Sequence, residues 1–237
     1  MAKEVIVKAK SVRRKKMVSR VIKLSLLILL LFLTILYIIL RIIYNEGRFT
    51  VTLDSNKTLE SGLAVFDSLN NSHGKRKLYA TPIKFMDNIS YKWLPANIDT
   101  EADGSHNGQN YIAYSFYVEN QGNEVLNYWY EIIVEDVIKH VDEAIRIRIY
   151  HNGKDVTYAK PAVLGGNEPN TEPFINVENI YKKDTTIILK ERKDFAPDDL
   201  DRFTVVIWLE GDDPDCVDAL IGGEIKMYMK ITEEHVE

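Results

Sequence analysis

Three acidic side chains in the middle of the sequence have the spacing of calcium ligands. Asp99, Glu101 and Asp103 alternate with other residues and are followed by Gly104. In a calcium-binding loop, carboxylates at positions 1, 3 and 5 converge on the ion, and glycine at position 6 permits a sharp bend. Position 12 is Asn110 rather than the bidentate glutamate of an EF-hand. The spacing therefore suits either a Ca²⁺ site or a solvated acidic loop, and no motif requires any other cofactor.

A second acidic cluster lies nearer the C-terminal end of the sequence. Glu210, Asp212, Asp213 and Asp215 are close enough along the chain to bind one cation together. They also have a structural interpretation, because Asp213 can cap a short helix over residues 214–221 and Asp215 favours the dipole of its first turn. The sequence leaves two interpretations open, a metal site that includes Glu210, Asp212 and Asp215, or a capped helix.

The sequence lacks the common motifs of hydrolytic catalysis. The histidines stand far apart, and neither an HExxH zinc motif nor a G-x-S-x-G elbow is present. These histidines are His73, His106, His140, His151 and His235. Cys216 is the single cysteine, so an internal disulfide is excluded, and its acidic neighbours disfavour the reactive thiolate. We therefore predict no catalytic residue and no cofactor-binding residue. A metal-dependent hydrolase built on one of the acidic clusters stays as an alternative.

The longest apolar segment indicates that the protein, and with it the candidate residues described above, is attached to a membrane. Residues 24–40, LSLLILLLFLTILYIIL, contain no charge, glycine or proline, and Ile42 and Ile43 extend the apolar segment beyond Arg41. This length predicts one transmembrane helix over residues 24–43, in contact with the lipid bilayer. A cleaved signal peptide has a shorter apolar region and a small-x-small cleavage site, which this sequence lacks. We therefore expect an uncleaved signal anchor.

Charge is divided unevenly about this segment. Nine of the 30 basic residues precede it with one acidic residue, whereas 20 basic and 34 acidic residues follow position 45. Basic flanks hold an N-terminus in the cytoplasm, so we predict a cytoplasmic tail at residues 1–23 and an extracellular domain at residues 44–237. The acidic composition of this domain also argues against nucleic-acid binding, because that binding depends on attraction between basic side chains and phosphate groups.

Alternating apolar residues predict a mainly β domain. Residues 111–119 and 126–134 alternate as strands do, and we expect them to form a hairpin or to be neighbours in one sheet. Asn152 and Gly153 stand between two extended runs and suit a type I′ hairpin turn. A short amphipathic helix is predicted near residues 137–145. Together these signals predict a jelly-roll or Ig-like β-sandwich with one or two short helices, preceded by the transmembrane helix.

Two stretches carry a resemblance to known proteins. YIAYSFYVENQGNEVLNYWYEI at residues 111–132 and VVIWLEGDDPDCVDALIGGEIKMYMKI at residues 205–231 resemble surface proteins of Gram-positive bacteria. More distantly, they are similar to the camelysin and TasA-type biofilm-fibre family. The resemblance implies a jelly-roll sandwich in which a turn such as Asn120-Gln121-Gly122 leads into the next core strand. Exported fibre subunits of that family are released by signal peptidase, whereas we expect this chain to keep its anchor. Camelysin relatives are described as metallopeptidases, but no metal-ligand motif here matches theirs, so no catalytic residue is transferred.

The leading functional hypothesis is a membrane-anchored surface protein that acts in adhesion or in envelope and matrix assembly. Exposed strand edges are the means, because their unpaired backbone groups accept a strand from another subunit or surface protein. The segment at residues 47–53 is then a donor or linker strand whose deletion should leave a folded domain. The alternatives are a surface metal-dependent hydrolase or peptidase and a ligand-binding sensory ectodomain.

Overall fold

The computed structural model describes residues 2–43, 49–54, 62–71, 73–83 and 85–235. The chain divides into two compact units, Met1–Glu46 and Gly47–Glu237. Among the described residues, the first unit contains one long helix, and the strands lie in the second unit. The predicted β class and the helix that precedes it are confirmed.

The N-terminal unit is the helix α1, Ala2–Ile43. Its segment Lys16–Ile39 has a mean hydropathy of 2.7. The hydroxyl groups of Ser25 and Thr34 donate hydrogen bonds to the carbonyls of Ile22 and Leu30. This pattern satisfies polar side chains inside the helix, as an apolar environment requires. The predicted apolar helix is confirmed, and it is long enough to be a membrane anchor or a signal sequence.

Thirteen strands can be assigned in the described part of the second unit. They are β1 (Thr50–Leu53), β2 (Leu63–Phe66), β3 (Lys77–Tyr79), β4 (Gly104–Ser105), β5 (Tyr111–Asn120), β6 (Leu126–Ile138), β7 (Ile145–His151), β8 (Lys154–Ala159), β9 (Glu172–Pro173), β10 (Val177–Asn179), β11 (Asp184–Phe195), β12 (Leu200–Leu209) and β13 (Glu224–His235). The first sheet has the order β10-β11-β6-β13-β1-β3. The second has the order β2-β5-β12-β7-β8-β9, and β4 also pairs with β5. Pairing is antiparallel except between β1 and β13 and between β8 and β9.

The main core lies between the two sheets and follows the period-two pattern of the strands. Phe203 of β12 stacks on Phe116 of β5 with 5.3 Å between ring centroids, and Tyr130 of the opposite sheet meets Phe203 edge-on at 5.1 Å. Offset and edge-on arrangements of this kind are the favoured geometries of aromatic rings. Val206 and Trp208 alternate with the inward-facing residues of β12 and belong to a different cluster of buried residues.

The outer face of the second sheet is also covered. Ile89 and Ile98, on the segment that follows β3, pack with Val206 and Trp208 of β12. A one-turn 3₁₀ helix, Tyr91–Trp93, lies within this segment. Because β12 is buried on both faces, the side chains on its outer face can form walls of an enclosed site.

Two local predictions from the sequence are wrong. The segment near residues 137–145, which was expected to be a helix, is instead the end of β6 followed by the 3₁₀ turn Val141–Glu143. Lys139 and His140 adopt positive φ, which is incompatible with a continuous α-helix through this segment. The expected pairing of β5 with β6 does not occur, since the two strands belong to different sheets. The turn between them is held by the amide of Asn120, which donates to the carbonyls of Glu124 and Phe195.

The proposed donor strand is part of the domain's own sheet. Residues 50–53 form β1, which pairs with β13 on one side and β3 on the other. Phe49 and Val51 are buried, with 2% and 1% of their surface exposed. Residues 47 and 48 lie outside the described residues. The chain therefore uses this strand internally, which contradicts the expectation that it is dispensable for folding.

Candidate functional site

The predicted calcium loop does not gather its carboxylates. Asp103 Oδ1 accepts a hydrogen bond from Tyr117 at 2.6 Å and lies 3.7 Å from Arg202 Nη2. Asp99 contributes its backbone carbonyl, which accepts hydrogen bonds from Arg202 and Thr204. Across the described residues, Asp99, Glu101 and Asp103 are not among the groups whose ligand atoms come within 4.8 Å of one another. Calcium binding at this loop stays a prediction.

One of the groups that does come together already contains a cation. His140, Asp142 and Glu143 place three ligand atoms within 4.8 Å. Lys160 Nζ lies 2.6 Å from Asp142 and 2.7 Å from Glu143, both of which are mostly buried. The ammonium group occupies the position at which a metal ion would neutralise these carboxylates. This cluster therefore has a structural explanation.

The other group, Glu168, Asp213 and Asp215, includes two residues that line a cavity of about 150 Å³. We name it the Trp208 cavity. It lies on the outer face of the second sheet, between β7, β8 and β12, and residues 168–171 form another wall. Tyr91 stands at the cavity with 45% of its surface exposed, whereas Trp208 has 1% exposed.

Strand alternation places the cationic side chains in this cavity. Ile145, Ile147 and Ile149 of β7 face the main core, so Arg146 and Arg148 point to the outer face. Arg146 and Trp208 are direct partners across β7 and β12. The guanidinium of Arg148 lies over the Trp208 ring, 5.3 Å from its centroid, which is a cation–π geometry.

Arg146 forms a buried ion cluster with two carboxylates. Its Nη2 lies 3.1 Å from Glu168 Oε2 and makes a close ion pair with Asp213 Oδ2 at 2.6 Å. The side chains of Arg146, Glu168 and Asp213 are 5%, 6% and 0% exposed. Burial and the neighbouring Asp213 raise the pKa of Glu168 above its ordinary value, against the opposing effect of Arg146. The single positive charge of Arg146 is thus too small to neutralise both Glu168 and Asp213.

Glu210 fixes another wall of the cavity. Its Oε2 accepts hydrogen bonds from Trp208 Nε1 at 2.9 Å and from the backbone N–H of Tyr91 at 3.1 Å. Its Oε1 accepts the N–H of Asp212 at 3.2 Å. A carboxylate with several backbone and side-chain donors is rigid, so these contacts hold both aromatic residues in place.

The remaining members of the second acidic cluster have separate partners. Asp212 Oδ2 accepts from Ser90 at 2.7 Å, and Asp215 Oδ2 accepts the N–H of Val163 at 3.0 Å. Asp213 Oδ1 accepts the N–H of Asp215 at 2.8 Å, which is a cap-like contact. The helix expected at residues 214–221 is reduced to the 3₁₀ turn Asp218–Leu220. Metal binding by Glu210, Asp212 and Asp215 stays a prediction.

The sequence signalled part of this site and missed the rest. The RIRIY alternation at residues 146–150 is a signal from which two arginines on one face of the strand could have been found, and both line the cavity. Glu168 lies in a loop rich in glycine, proline and asparagine, where nothing in its spacing indicates burial. Its role becomes visible only when this loop packs against β7.

A second buried polar network joins the two sheets around Asp201. Its carboxylate accepts hydrogen bonds from Tyr128, from Asn152 Nδ2 at 2.7 Å and from Arg192 Nε at 3.2 Å. His151 Nε2 lies 3.0 Å from it. Burial alone would raise the pKa of Asp201, but hydrogen bonds from His151, Tyr128 and Asn152 lower it to about 2. The number of donors indicates a structural role.

Comparisons with known proteins leave the function open. No protein-family model matches the chain, and no curated protein matches its sequence. Among solved structures, a β-glucosidase from Kluyveromyces marxianus is 8% identical with a TM-score of 0.25, covering 75% of this chain and 18% of that enzyme. The same enzyme in complex with glucose is 9% identical with a TM-score of 0.26, and the chain spans 17% of its length. Similarity at this level supports no conclusion about activity.

Proposed function

We propose that this chain is a membrane-anchored surface protein whose β-sandwich binds a small molecule in the Trp208 cavity. The observation that carries the proposal is a preformed cavity whose lining combines two aromatic rings with guanidinium and carboxylate groups. Ligand sites are typically concave, with apolar walls and a few fixed polar groups that orient the ligand. The contacts of Glu210 and Arg146 hold those polar groups in position before any ligand arrives.

The dimensions of the cavity limit the ligand. About 150 Å³ is smaller than the roughly 300–1,000 Å³ of sites for drug-sized molecules. We therefore expect a ligand of few heavy atoms or the terminal group of a larger molecule. The aromatic ring of Tyr91 is half exposed and provides an apolar surface at the site.

The proposed location follows from the apolar helix and its flanks. Lys16–Ile39 is long enough to span a bilayer, and nine basic residues with one acidic residue precede residue 24. Basic flanks favour a cytoplasmic N-terminus, which supports a location of the β-sandwich outside the cell. A domain with a single cysteine, and hence no internal disulfide, suits the surface of a Gram-positive bacterium.

Adhesion or matrix assembly is the second candidate function, supported by an exposed apolar hairpin at β10 and β11. Val177, Ile180 and Tyr181 have 58%, 79% and 91% of their surface exposed. Such a group of exposed apolar residues is typical of an interaction site. Strand addition has less support, because the edge strands β3 and β10 have three residues each. The metal-dependent hydrolase has less support still, since Arg146 and backbone N–H groups already bind the acidic residues near the cavity.

Ligand binding can be measured with the full chain in detergent micelles. We expect at least one compound from a panel of sugars, amino sugars, amino acids and small amines to raise the melting temperature in a saturable manner. Tyr91→Ala should weaken binding of that compound about tenfold, because it removes an aromatic wall without disturbing the core. Tyr181→Ala is the matched control, since Tyr181 is 91% exposed and does not line the cavity.

Two results would contradict the proposal. If no compound in the panel stabilises the protein, the cavity is not a ligand site, and assembly becomes the favoured function. If a compound binds equally well to wild type, Tyr91→Ala and Tyr181→Ala, it binds elsewhere on the protein.

A further inference from the structure

We propose that the β-sandwich contacts the phospholipid surface through the turn between β10 and β11. We name residues 180–183 of this turn, Ile-Tyr-Lys-Lys, the hairpin tip. The inference rests on the membrane anchor of the proposed function and is independent of the Trp208 cavity. It assigns lipid, rather than another subunit, as the partner of the hairpin tip.

The hairpin tip exposes two large apolar side chains and two cations. Ile180 and Tyr181 have 79% and 91% of their surface exposed. Lys182 and Lys183 are also exposed, and neither forms an ion pair with a residue that the structure describes. At a bilayer surface, aliphatic and tyrosine side chains enter the headgroup layer, and lysines meet lipid phosphates. The four consecutive side chains therefore match the chemistry of a phospholipid surface.

The fold orders the hairpin tip in this exposed position. The side-chain oxygen of Asn179 accepts hydrogen bonds from the backbone N–H of Tyr181 at 3.0 Å and of Lys182 at 3.2 Å. The carbonyl of Asn179 accepts the N–H of Lys183 at 2.8 Å. Asparagine stabilises compact turns in this way, so Ile180 and Tyr181 are presented to solvent by a defined turn.

Strand register puts the hairpin tip at the end of the first sheet where the chain arrives from the apolar helix. β1 is parallel to β13, with Thr50 opposite Tyr228, and Tyr228 is opposite Ile133 of β6. Ile133 is also opposite Thr186 of β11. The starts of β1 and β11 therefore lie at the same end of the sheet. They are three strands apart, which corresponds to about 14 Å.

Chain length keeps this end of the sheet close to the bilayer. Six residues, 44–49, separate α1 from β1, and an extended chain from Ile43 to Thr50 spans at most about 25 Å. This limit holds for any orientation of the two units. The hairpin tip extends about 10 Å beyond the level of Thr50, whereas Leu126, at the other end of β6, lies about 23 Å away in the opposite direction. Of the two ends of the sheet, the one with the tip is within easier reach of lipid headgroups.

Neighbouring strands add apolar surface at the same end. Ile138 is the last residue of β6, and Ile221 lies three residues before β13. They have 43% and 70% of their surface exposed. Lys139 Nζ donates a hydrogen bond to the carbonyl of Ile221 at 2.6 Å, which joins the two segments. These residues provide a second area for contact with the same lipid surface.

Lipid suits the hairpin tip better than a second copy of the chain. A stable protein interface needs roughly 800 Å² from each partner, which a turn of four residues cannot supply. The exposed carboxylates at this end lie on the strands and not in the tip; they are Asp136, Glu178 and Glu224. The tip is thus locally basic within an acidic domain, and its charge complements phosphate groups.

Quenching by spin-labelled phospholipids tests the contact. The full chain with Cys216→Ser would carry a nitrobenzoxadiazole label at Ile180→Cys or, as the matched control, at Val125→Cys, in vesicles of phosphatidylcholine and phosphatidylglycerol. Val125 is 50% exposed and precedes β6 at the opposite end of the sheet. We expect spin-labelled lipid to reduce the fluorescence at position 180 at least about twofold and to leave that at position 125 unchanged.

Charge reversal tests the part played by the lysines. In the chain labelled at position 180, Lys182→Glu combined with Lys183→Glu should lower the quenching about twofold, because anionic lipid repels the altered tip. Lys193→Glu is the control, since Lys193 is exposed near the opposite end of the sheet. If a cysteine variant does not fold, wild type decides. Acetylation of Lys182 and Lys183 in vesicles should then be at least about threefold slower than that of Lys193.

Each other result overturns the inference in a recognisable way. Quenching at neither position, or equal quenching at both, would show that this end of the sheet does not face lipid. A label at position 180 that is shielded only at high protein-to-lipid ratios, without lipid quenching, would assign the tip to a second copy. A chain that does not float with vesicles would refute the anchor as well. Ligand binding at the Trp208 cavity is measured in micelles and is decided separately.

Discussion

Asp201 illustrates how a single buried charge can join two sheets. It lies on β12 of the second sheet, and Tyr128, which donates to it, lies on β6 of the first. Only 2% of the surface of Asp201 is exposed. Removing one partner from such a network leaves other charges buried and unsatisfied, which costs more than the bond itself.

The low pKa of Asp201 predicts acid sensitivity. A pKa of about 2 in the folded protein, below the ordinary 3.8, means that the folded state favours the ionised form. The stabilisation is therefore fully present above about pH 4 and is lost as the pH falls through 2. The difference corresponds to about 2 kcal/mol of unfolding free energy. Urea titrations of the full chain in detergent micelles at several pH values would measure this loss.

Two variants separate Asp201 from the other carboxylates. Asp201→Asn should be less stable at pH 7, and its stability should depend less on pH between 4 and 2 than that of wild type. Asp198→Asn is the control, because Asp198 is exposed on the neighbouring turn and its positive φ suits asparagine. If Asp201→Asn kept the full acid dependence, the assignment to Asp201 would be wrong.

At the level of elements, β1 and the edge strands have opposite roles. β1 lies between β13 and β3, and its inward side chains enter the main core. The edge strands are short, which limits pairing with other chains. β1 is thus a structural component of the sandwich.

The same substitution at an inner and an edge strand tests this difference. Val51→Asp on β1 should reduce stability by about 3 kcal/mol or more, because an unpaired carboxylate enters the core. Val177→Asp on β10 should change stability by less than about 0.5 kcal/mol, since Val177 is 58% exposed. Circular dichroism melts of the full chain would compare them. A stable Val51→Asp domain would revive the interpretation of β1 as a donor strand.

The Val177→Asp variant also bears on the second candidate function. If β10 takes part in assembly, a charge at this position should prevent self-association of an otherwise folded protein. Light scattering of wild type and Val177→Asp in detergent micelles would measure it. Equal masses for the two proteins would argue against assembly through this edge.

At the scale of the whole molecule, the apolar helix should control where the protein is found. We expect the full chain to remain with membranes after an alkaline wash, and a version without residues 2–43 to be released. Protease added to intact cells should remove the β-sandwich if the basic tail is cytoplasmic. Protection of the sandwich in intact cells, with digestion after lysis, would reverse the proposed orientation.

Local patterns in the sequence determined the elements of this protein but not all of their partners. The apolar segment predicts a helix because backbone groups in lipid must be satisfied internally, and alternation predicts the strands. Asn152 and Gly153 predict the β7–β8 hairpin, and both have the positive φ of a tight turn. The prediction that β5 pairs with β6 was wrong, because a short connection in the sequence can join either two strands of a hairpin or two strands in different sheets.

The Trp208 cavity was decided by tertiary structure alone. The outward side chains of β7 could be read from the sequence, but Trp208 meets Arg146 only because β12 pairs with β7 in one register. Glu168 arrives from a loop that has no periodic signal, and Tyr91 comes from a segment that covers the outer face of the second sheet. The sequence alone determined which strands have two different faces, because this property depends on the alternation of neighbouring residues along each strand. The site required contacts between residues far apart in the chain, which depend on how the sheets pack.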